Sequence, residues 1–139
     1  MLTDANTGRE VTQLPRRAQQ ELDAVLSRLD RSQVEAMTRE INRWADQTGN
    51  ERTDFFASSW KTGSDWSEFA EGVFQPLYEA CLDRENAVEY AGWMFGWLVR
   101  SVMIDRRSDN WLMYKNPEAG SEELSRNMWG TFYWREVRH

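Results

Sequence analysis

The chain is poor in the side chains that most hydrolytic and metal chemistry requires. Its one histidine, His139, is the last residue, so Ser-His-Asp and Cys-His nucleophile arrangements and histidine zinc sites have no internal imidazole to use. One cysteine, Cys81, excludes an internal disulfide and a multi-cysteine zinc site, and suits a reducing compartment. It falls on an apolar helical stripe, where a small buried thiol is expected rather than a reactive one. The eight glycines never form a Gly-rich loop followed by Lys-Ser or Lys-Thr, which removes the common phosphate cradle.

Long apolar runs are scarce as well. The best candidate, residues 91–104, is too short for a membrane span and contains Arg100. The opening MLTDANTGRE has neither a basic region nor an apolar run, so no secretory signal is expected and a cytoplasmic protein is. No repeat or low-complexity segment punctuates the chain.

Aromatic residues are abundant instead. Among 139 residues, of which 40% are hydrophobic, stand eight tryptophans, six phenylalanines and four tyrosines. That length supports one domain with a real core, and each tryptophan is large enough to dominate the core or interface it enters. The 17 basic residues include only two lysines, Lys61 and Lys115. Arginine makes planar bidentate pairs and stacks on rings more readily than lysine does. The net charge of −6 lies in the middle: residues 48–90 carry nine acids and three bases. Such a surface repels phosphate backbones and suits a basic protein partner or plain solvation.

Periodicity organises the rest. Residues 1–13, polar around Thr7 and Gly8, read as a loose N-terminal arm, with one globular domain over 14–139. After Pro15, the residues Ala18, Leu22, Val25, Leu26 and Leu29 recur at helical spacing. Ser32 with Glu35 forms a capping-box pattern ahead of a second stripe, Val34, Met37, Ile41, Trp44 and Ala45. A link over 30–32 predicts an antiparallel helix pair. Residues 51–66, with Phe55, Phe56, Trp60 and Trp66 among polar neighbours, read as a loop, either pinned to the core by its rings or used for recognition. A third helical stripe, Trp66 to Cys81, is interrupted by Pro76, which predicts a kink or a restart. Residues 84–104 are apolar over most of a helix circumference and should form the buried centre. Gly92 and Gly96 share one face of it with Glu89 and Arg100.

WLMYK and MWGTFYWREV read as two strands of an antiparallel hairpin. Phe132 and Trp134, with Trp111 and Met113, are expected to face the core. Trp129 and Tyr133, with Leu112 and Tyr114, are expected to face outward. The fold class is thus α+β and predominantly helical: about four helices, one kinked at a proline and one central and buried, then the hairpin.

The function expected from these features is non-enzymatic binding through an aromatic and arginine-rich protein interface, since interface centres are enriched in Trp, Tyr, Phe, Met and Arg. Trp60, Trp66, Trp129, Tyr133, Tyr114 and Arg135 are the candidate partner-binding residues. The partner is a second protein or a second copy, and an acidic inhibitor or regulator of a basic nucleic-acid-handling protein fits the charge. No cofactor and no membrane partner is expected, and the sequence names no small molecule. Two alternatives remain. Glu68 with Glu71, Glu79 with Asp83 and Glu85 with Glu89 fall three or four apart, as a divalent-metal enzyme or ligand-binding domain built on helices would need. Arg100, Arg106, Arg107, Arg126, Arg135 and Arg138, beside Trp111, Tyr114, Trp129 and Tyr133, suit single-stranded nucleic acid. Against that, the helix before the hairpin is apolar where a groove reader is polar.

Overall fold

A computed structural model describes residues 1–49, 55–57, 65–115 and 131–136. Trp60 and Trp129, with Arg126 and Arg138, lie outside the described residues. The fold is α+β and dominated by its helices. In chain order it runs β1 (Leu2–Asp4), β2 (Glu10–Val11), α1 (Arg16–Leu26), α2 (Arg31–Gln47), β3 (Phe55–Ala57), a short turn at Phe69–Gly72, α3 (Gln75–Glu79), α4 (Ala87–Asp105), β4 (Trp111–Lys115) and β5 (Thr131–Arg135).

Helix α4 is the centre. Tyr90, Ala91, Met94, Phe95, Leu98, Val99, Val102 and Met103 are all buried along it, because α1, α2 and α3 each pack against it. Burying a side chain the size of Leu98 or Phe95 contributes about 1.5–3 kcal/mol. The expected α1–α2 pair takes a different form. Both helices bury the predicted stripes, Ala18, Leu22 and Val25 in α1 and Met37, Ile41 and Ala45 in α2, but their main helical neighbour is α4 rather than each other. An apolar helix with a stripe on most sides offers each of them more surface than they offer one another.

The start of α2 also differs from the pattern read in the sequence. Its N-cap is Asp30, whose backbone N–H donates to Gln33 Oε1 at 2.9 Å. Ser32 lies one residue inside the helix, so the capping pair is Asp30 with Gln33 and not Ser32 with Glu35.

Residues 1–13 are no loose arm. Leu2 is buried, and β1 runs parallel to β4 with Leu2 opposite Trp111 and Asp4 opposite Met113. Its antiparallel partner β2 closes a hairpin in which Gly8 N donates to Asp4 O at 2.7 Å. Gly8 takes φ +75 there, a conformation glycine enters freely. Strands of three and two residues are too short to show an alternating pattern, so only the Thr7-Gly8 turn is visible in the sequence.

The five strands form one mixed sheet in the order β2-β1-β4-β5-β3. Phe55–Ala57, read as loop, is an edge strand antiparallel to β5. The β4–β5 register corrects the predicted faces. Met113 stands opposite Tyr133, and Leu112 opposite Trp134, so Trp111, Met113 and Tyr133 share the inner face while Phe132 and Trp134 fall with Leu112 and Tyr114. A one-residue change of register moves every side chain of a strand to the other side. Composition could not decide it, because both faces of β5 are aromatic.

Between β3 and α4 the chain makes an uncommon reversal. Ala70, Glu71 and Gly72 all have positive φ, at 49, 57 and 81. Each non-glycine residue in that region costs about 1–2 kcal/mol, and a Cβ on Gly72 would stand 3.0 Å from the Ser67 carbonyl oxygen. The turn is held by its flanks. Phe69 and Phe74 both enter the cluster around Phe95, at centroid distances of 5.6 and 5.0 Å, and Trp44 closes the other side. Pro76 then stands in the first turn of α3, where its missing N–H leaves nothing unpaired.

Candidate functional site

Arginines and rings meet first along the seam that joins α2, the end of α4 and the β4–β5 pair. Arg106 donates through Nη1 to Asn42 Oδ1 and through Nη2 to Asp46 and Asp109, at 2.8, 2.8 and 2.7 Å. Arg135 donates through Nε to Thr48 O and through Nη2 to Ala45 O, both at 2.9 Å, and through Nη1 to Asp109 at 3.3 Å. Arg135 thereby caps the C-terminal carbonyls of α2, and its guanidinium lies 4.8 Å from the Trp111 ring. Burial pushes the Asp109 carboxyl up, but hydrogen bonds from Arg106 and Trp111 and the charges of both arginines outweigh it and hold the group below the usual carboxylate range.

Of the four described residues expected to face a partner, three are committed to contacts within the chain. Trp66 is buried, stacked on Tyr78 at 6.1 Å and edge-on to Phe95. Tyr133 is buried with the guanidinium of Arg100 beside its hydroxyl, and desolvation pushes its phenol up to about 12 against the pull of that cation. Arg135 spends its donors on α2 and Asp109. Tyr114 is half-buried, edge-on to Trp134 at 6.1 Å, and Phe132 beside them is buried, so the second sheet face is not a bare aromatic surface.

Exposure occurs elsewhere. Among the described residues, the large apolar side chains open to solvent are Leu82 at 56%, Val88 at 37% and Trp93 at 58%. All three fall within twelve residues, across the α3–α4 connection and the first turns of α4. Residues 65–90 carry seven carboxylates, all exposed, against Arg84 alone. Leu82 and Val88 thus stand exposed where the chain is most acidic, while Trp93 lies about 140° around α4 from Val88.

A second feature lies behind the patch. Arg28, at the end of α1, reaches across to donate to Ala80 O and Asp83 Oδ1, both at 2.9 Å. The hydrogen bond to Asp83 raises the Arg28 pKa and lowers that of Asp83. On either side of this pair lie hollows of about 180 and about 390 Å3, the first lined by Glu21, Val25, Arg84 and Tyr90 and the second by Leu29, Gln33 and Glu79. Arg84 covers the Tyr90 ring at 4.2 Å and donates to its hydroxyl at 3.3 Å. Burial, followed by the nearby Glu21 charge, raises the Tyr90 phenol. Cys81 is buried under the connection, and desolvation raises its thiol above its ordinary value, which makes it a poor nucleophile.

The alternative chemistries find little here. Among the described residues no three carboxylate, thiol or imidazole groups converge as a metal site would need. Glu68, Glu71, Glu79, Asp83, Glu85 and Glu89 are each exposed, and Asp83 is paired with Arg28. Of the arginines and rings suggested for nucleic acid, Arg106, Arg135, Trp111 and Tyr133 are turned into the seam and core. No described helix is long and apolar enough to cross a membrane. No family model matches the chain, nor does any curated protein or solved structure.

Sequence reasoning missed Leu82, Val88 and Trp93 because each looks like one more member of an apolar stripe. One signal was available for Leu82. It precedes Asp83-Arg84-Glu85-Asn86, a polar run that leaves a lone apolar residue little to pack against.

Proposed function

We propose that this protein is a non-enzymatic binding protein whose working surface is the acid-rimmed apolar patch at Leu82 and Val88, and that its partner is a basic protein. The observation that carries the reading is the coincidence of exposed apolar side chains with exposed carboxylates in one short segment. Monomer surfaces scatter single apolar residues widely, whereas a cluster rimmed by charge marks an interaction site. Leu82 and Val88 would meet the apolar side of a partner element, while Glu79, Asp83 and Glu85 steer and register its arginines and lysines. Complementary charge of this kind raises association rates and rejects acidic competitors. The acid-to-base ratio also excludes phosphate backbones from the same surface. A basic nucleic-acid-handling protein presents the matching charge, and occupying its basic face would inhibit or regulate it.

Calorimetric titration against a panel of basic nucleic-acid-binding proteins tests this, at about 50 mM and about 300 mM salt to span strong and weak screening. The expected result is a complex that weakens at the higher salt and weakens about tenfold or more in Leu82→Asp and in the double variant Glu79→Lys, Glu85→Lys. Titrations with no salt-sensitive complex, or variants that bind as the parent does, reject the reading.

A further inference from the structure

We propose that an arginine of the basic partner docks in the groove between α1 and the α3–α4 connection by taking the place of Arg28. The inference rests on the reading above that the partner is a basic protein, and it names the contact that selects it. The two hollows beside the Arg28–Asp83 bridge share Arg28, Ala80 and Asp83 in their walls. The bridge is therefore the partition that divides one groove into volumes of about 180 and about 390 Å3.

What forms the partition is itself an arginine. Arg28 Nη1 donates to Ala80 O and to Asp83 Oδ1, both at 2.9 Å. Ala80 ends α3, where carbonyl groups lack a helical donor, and a carboxylate placed beside such a carbonyl takes both hydrogens of one guanidinium nitrogen. The slot thus already holds the kind of group it recognises, supplied by the chain itself. Its hold is weak, because both side chains of the bridge are more than half exposed and water competes for such a pair.

The rest of the groove favours a cation once Arg28 swings out. Glu21, Glu79 and Asp83 then line it against Arg84 alone. Arg84 is occupied with the Tyr90 ring and hydroxyl, and Glu21 is held only loosely by Arg17, at 3.9 Å. The slot also adjoins the working patch, since Leu82 directly precedes Asp83. An arginine on a partner anchored at Leu82 competes with Arg28 on equal terms, because both are then tethered beside the slot. Lysine is a poorer substitute, as its compact, strongly hydrated ammonium lacks the planar fork.

NMR titration of the isotope-labelled full chain with octa-arginine and with octa-lysine provides the test, at about 50 mM salt, where screening is weak. Octa-arginine should bind about threefold or more tightly than octa-lysine, and should move the backbone signals of residues 80–84 together with that of Arg28 Nε. Arg28→Ala empties the slot and should bind octa-arginine about two- to sixfold more tightly, the factor by which an exposed pair holds its own site. Arg39→Ala removes the same charge from an exposed position on α2 and should gain clearly less. Asp83→Asn keeps the size of the side chain and should bind about threefold or more weakly. Equal binding of the two peptides, an Arg28→Ala gain no larger than that of Arg39→Ala, or an Asp83→Asn variant that binds as the parent does overturns the slot. A basic protein whose complex is weakened by Leu82→Asp but not strengthened by Arg28→Ala overturns it too, and leaves the basic-partner reading standing. The expected peptide pattern with no basic protein bound rejects that reading and upholds the slot.

Discussion

The Asp109 seam and the Arg28–Asp83 bridge both join distant segments through arginine and aspartate, and they do so under opposite conditions. In the seam the side chains of Arg106, Asp109 and Arg135 are 16–22% exposed, with Asp46 more open at the rim: Asp109 receives two arginines, and Arg135 also caps α2. At the bridge both side chains are more than half exposed, at 53% and 55%. Water competes for the second pair and is largely kept from the first. Residue type therefore says little about role in this protein. The same two amino acids lock one end of the molecule and decorate the other, and the end they leave unlocked carries the exposed apolar groups.

Removing the shared carboxylate of the seam should break this contrast most severely. Asp109→Ala leaves Arg106 and Arg135 facing each other with their common counter-charge gone, and should cost about 3 kcal/mol in urea denaturation near neutral pH. Because the folded Asp109 pKa lies below its unfolded value, its contribution is present above about pH 4 and lost as pH falls through the folded value. The variant should accordingly lose less stability than the parent on acidification. A cost below that of an ordinary surface substitution would show that the seam is not a lock.

Next in size is an alkaline effect at Tyr133, which packs on the inner sheet face beside the seam. Its phenol is raised in the folded state, so an unfolded chain sheds that proton first as pH rises. Stability should hold below about pH 10 and fall by about 2–3 kcal/mol toward pH 12. Tyr133→Phe keeps the ring and should flatten that decline, as read from denaturation midpoints at stepped pH. A slope identical to the parent's would mean that the hydroxyl is not held in the interior. The smallest effect is expected at the other end of the comparison. Arg28→Ala should leave the denaturation midpoint unchanged within error, and a shift comparable to that of Asp109→Ala would erase the distinction between the two regions.

How much of this was legible in the sequence follows the same division. The stripes Ala18-Leu22-Val25 and Met37-Ile41-Ala45 are buried as their spacing predicts, and so is most of α4, because a long apolar period has one physical solution. The β4–β5 pairing was readable too, but its faces were not. Deciding whether Tyr133 or Trp134 turns inward requires the β4–β5 register, in which Met113 meets Tyr133 and Leu112 meets Trp134, and a strand aromatic on both faces carries no pattern that fixes it. Strand β1 escaped notice because three residues carry no period. The candidate interaction residues were the least legible. Trp66 and Trp93 have the same chemistry, and only tertiary contacts place one in the core and the other on the surface.

The parallel pairing of β1 with β4 has a consequence for how the protein is made. Residues 2–4 find their partners only at 111–113, and β4 gains its other neighbour only at 131–135. Helices α1 and α2 and the β1–β2 hairpin can form while the chain emerges, but the centre of the sheet waits for residues 111–135. Late, non-local closure of this kind slows folding and lengthens the time that unpaired strand edges are exposed. Strand β1 is made well before the strand it pairs with, and yield in the cell should depend on what shelters Leu2 and the Val11 edge during that wait.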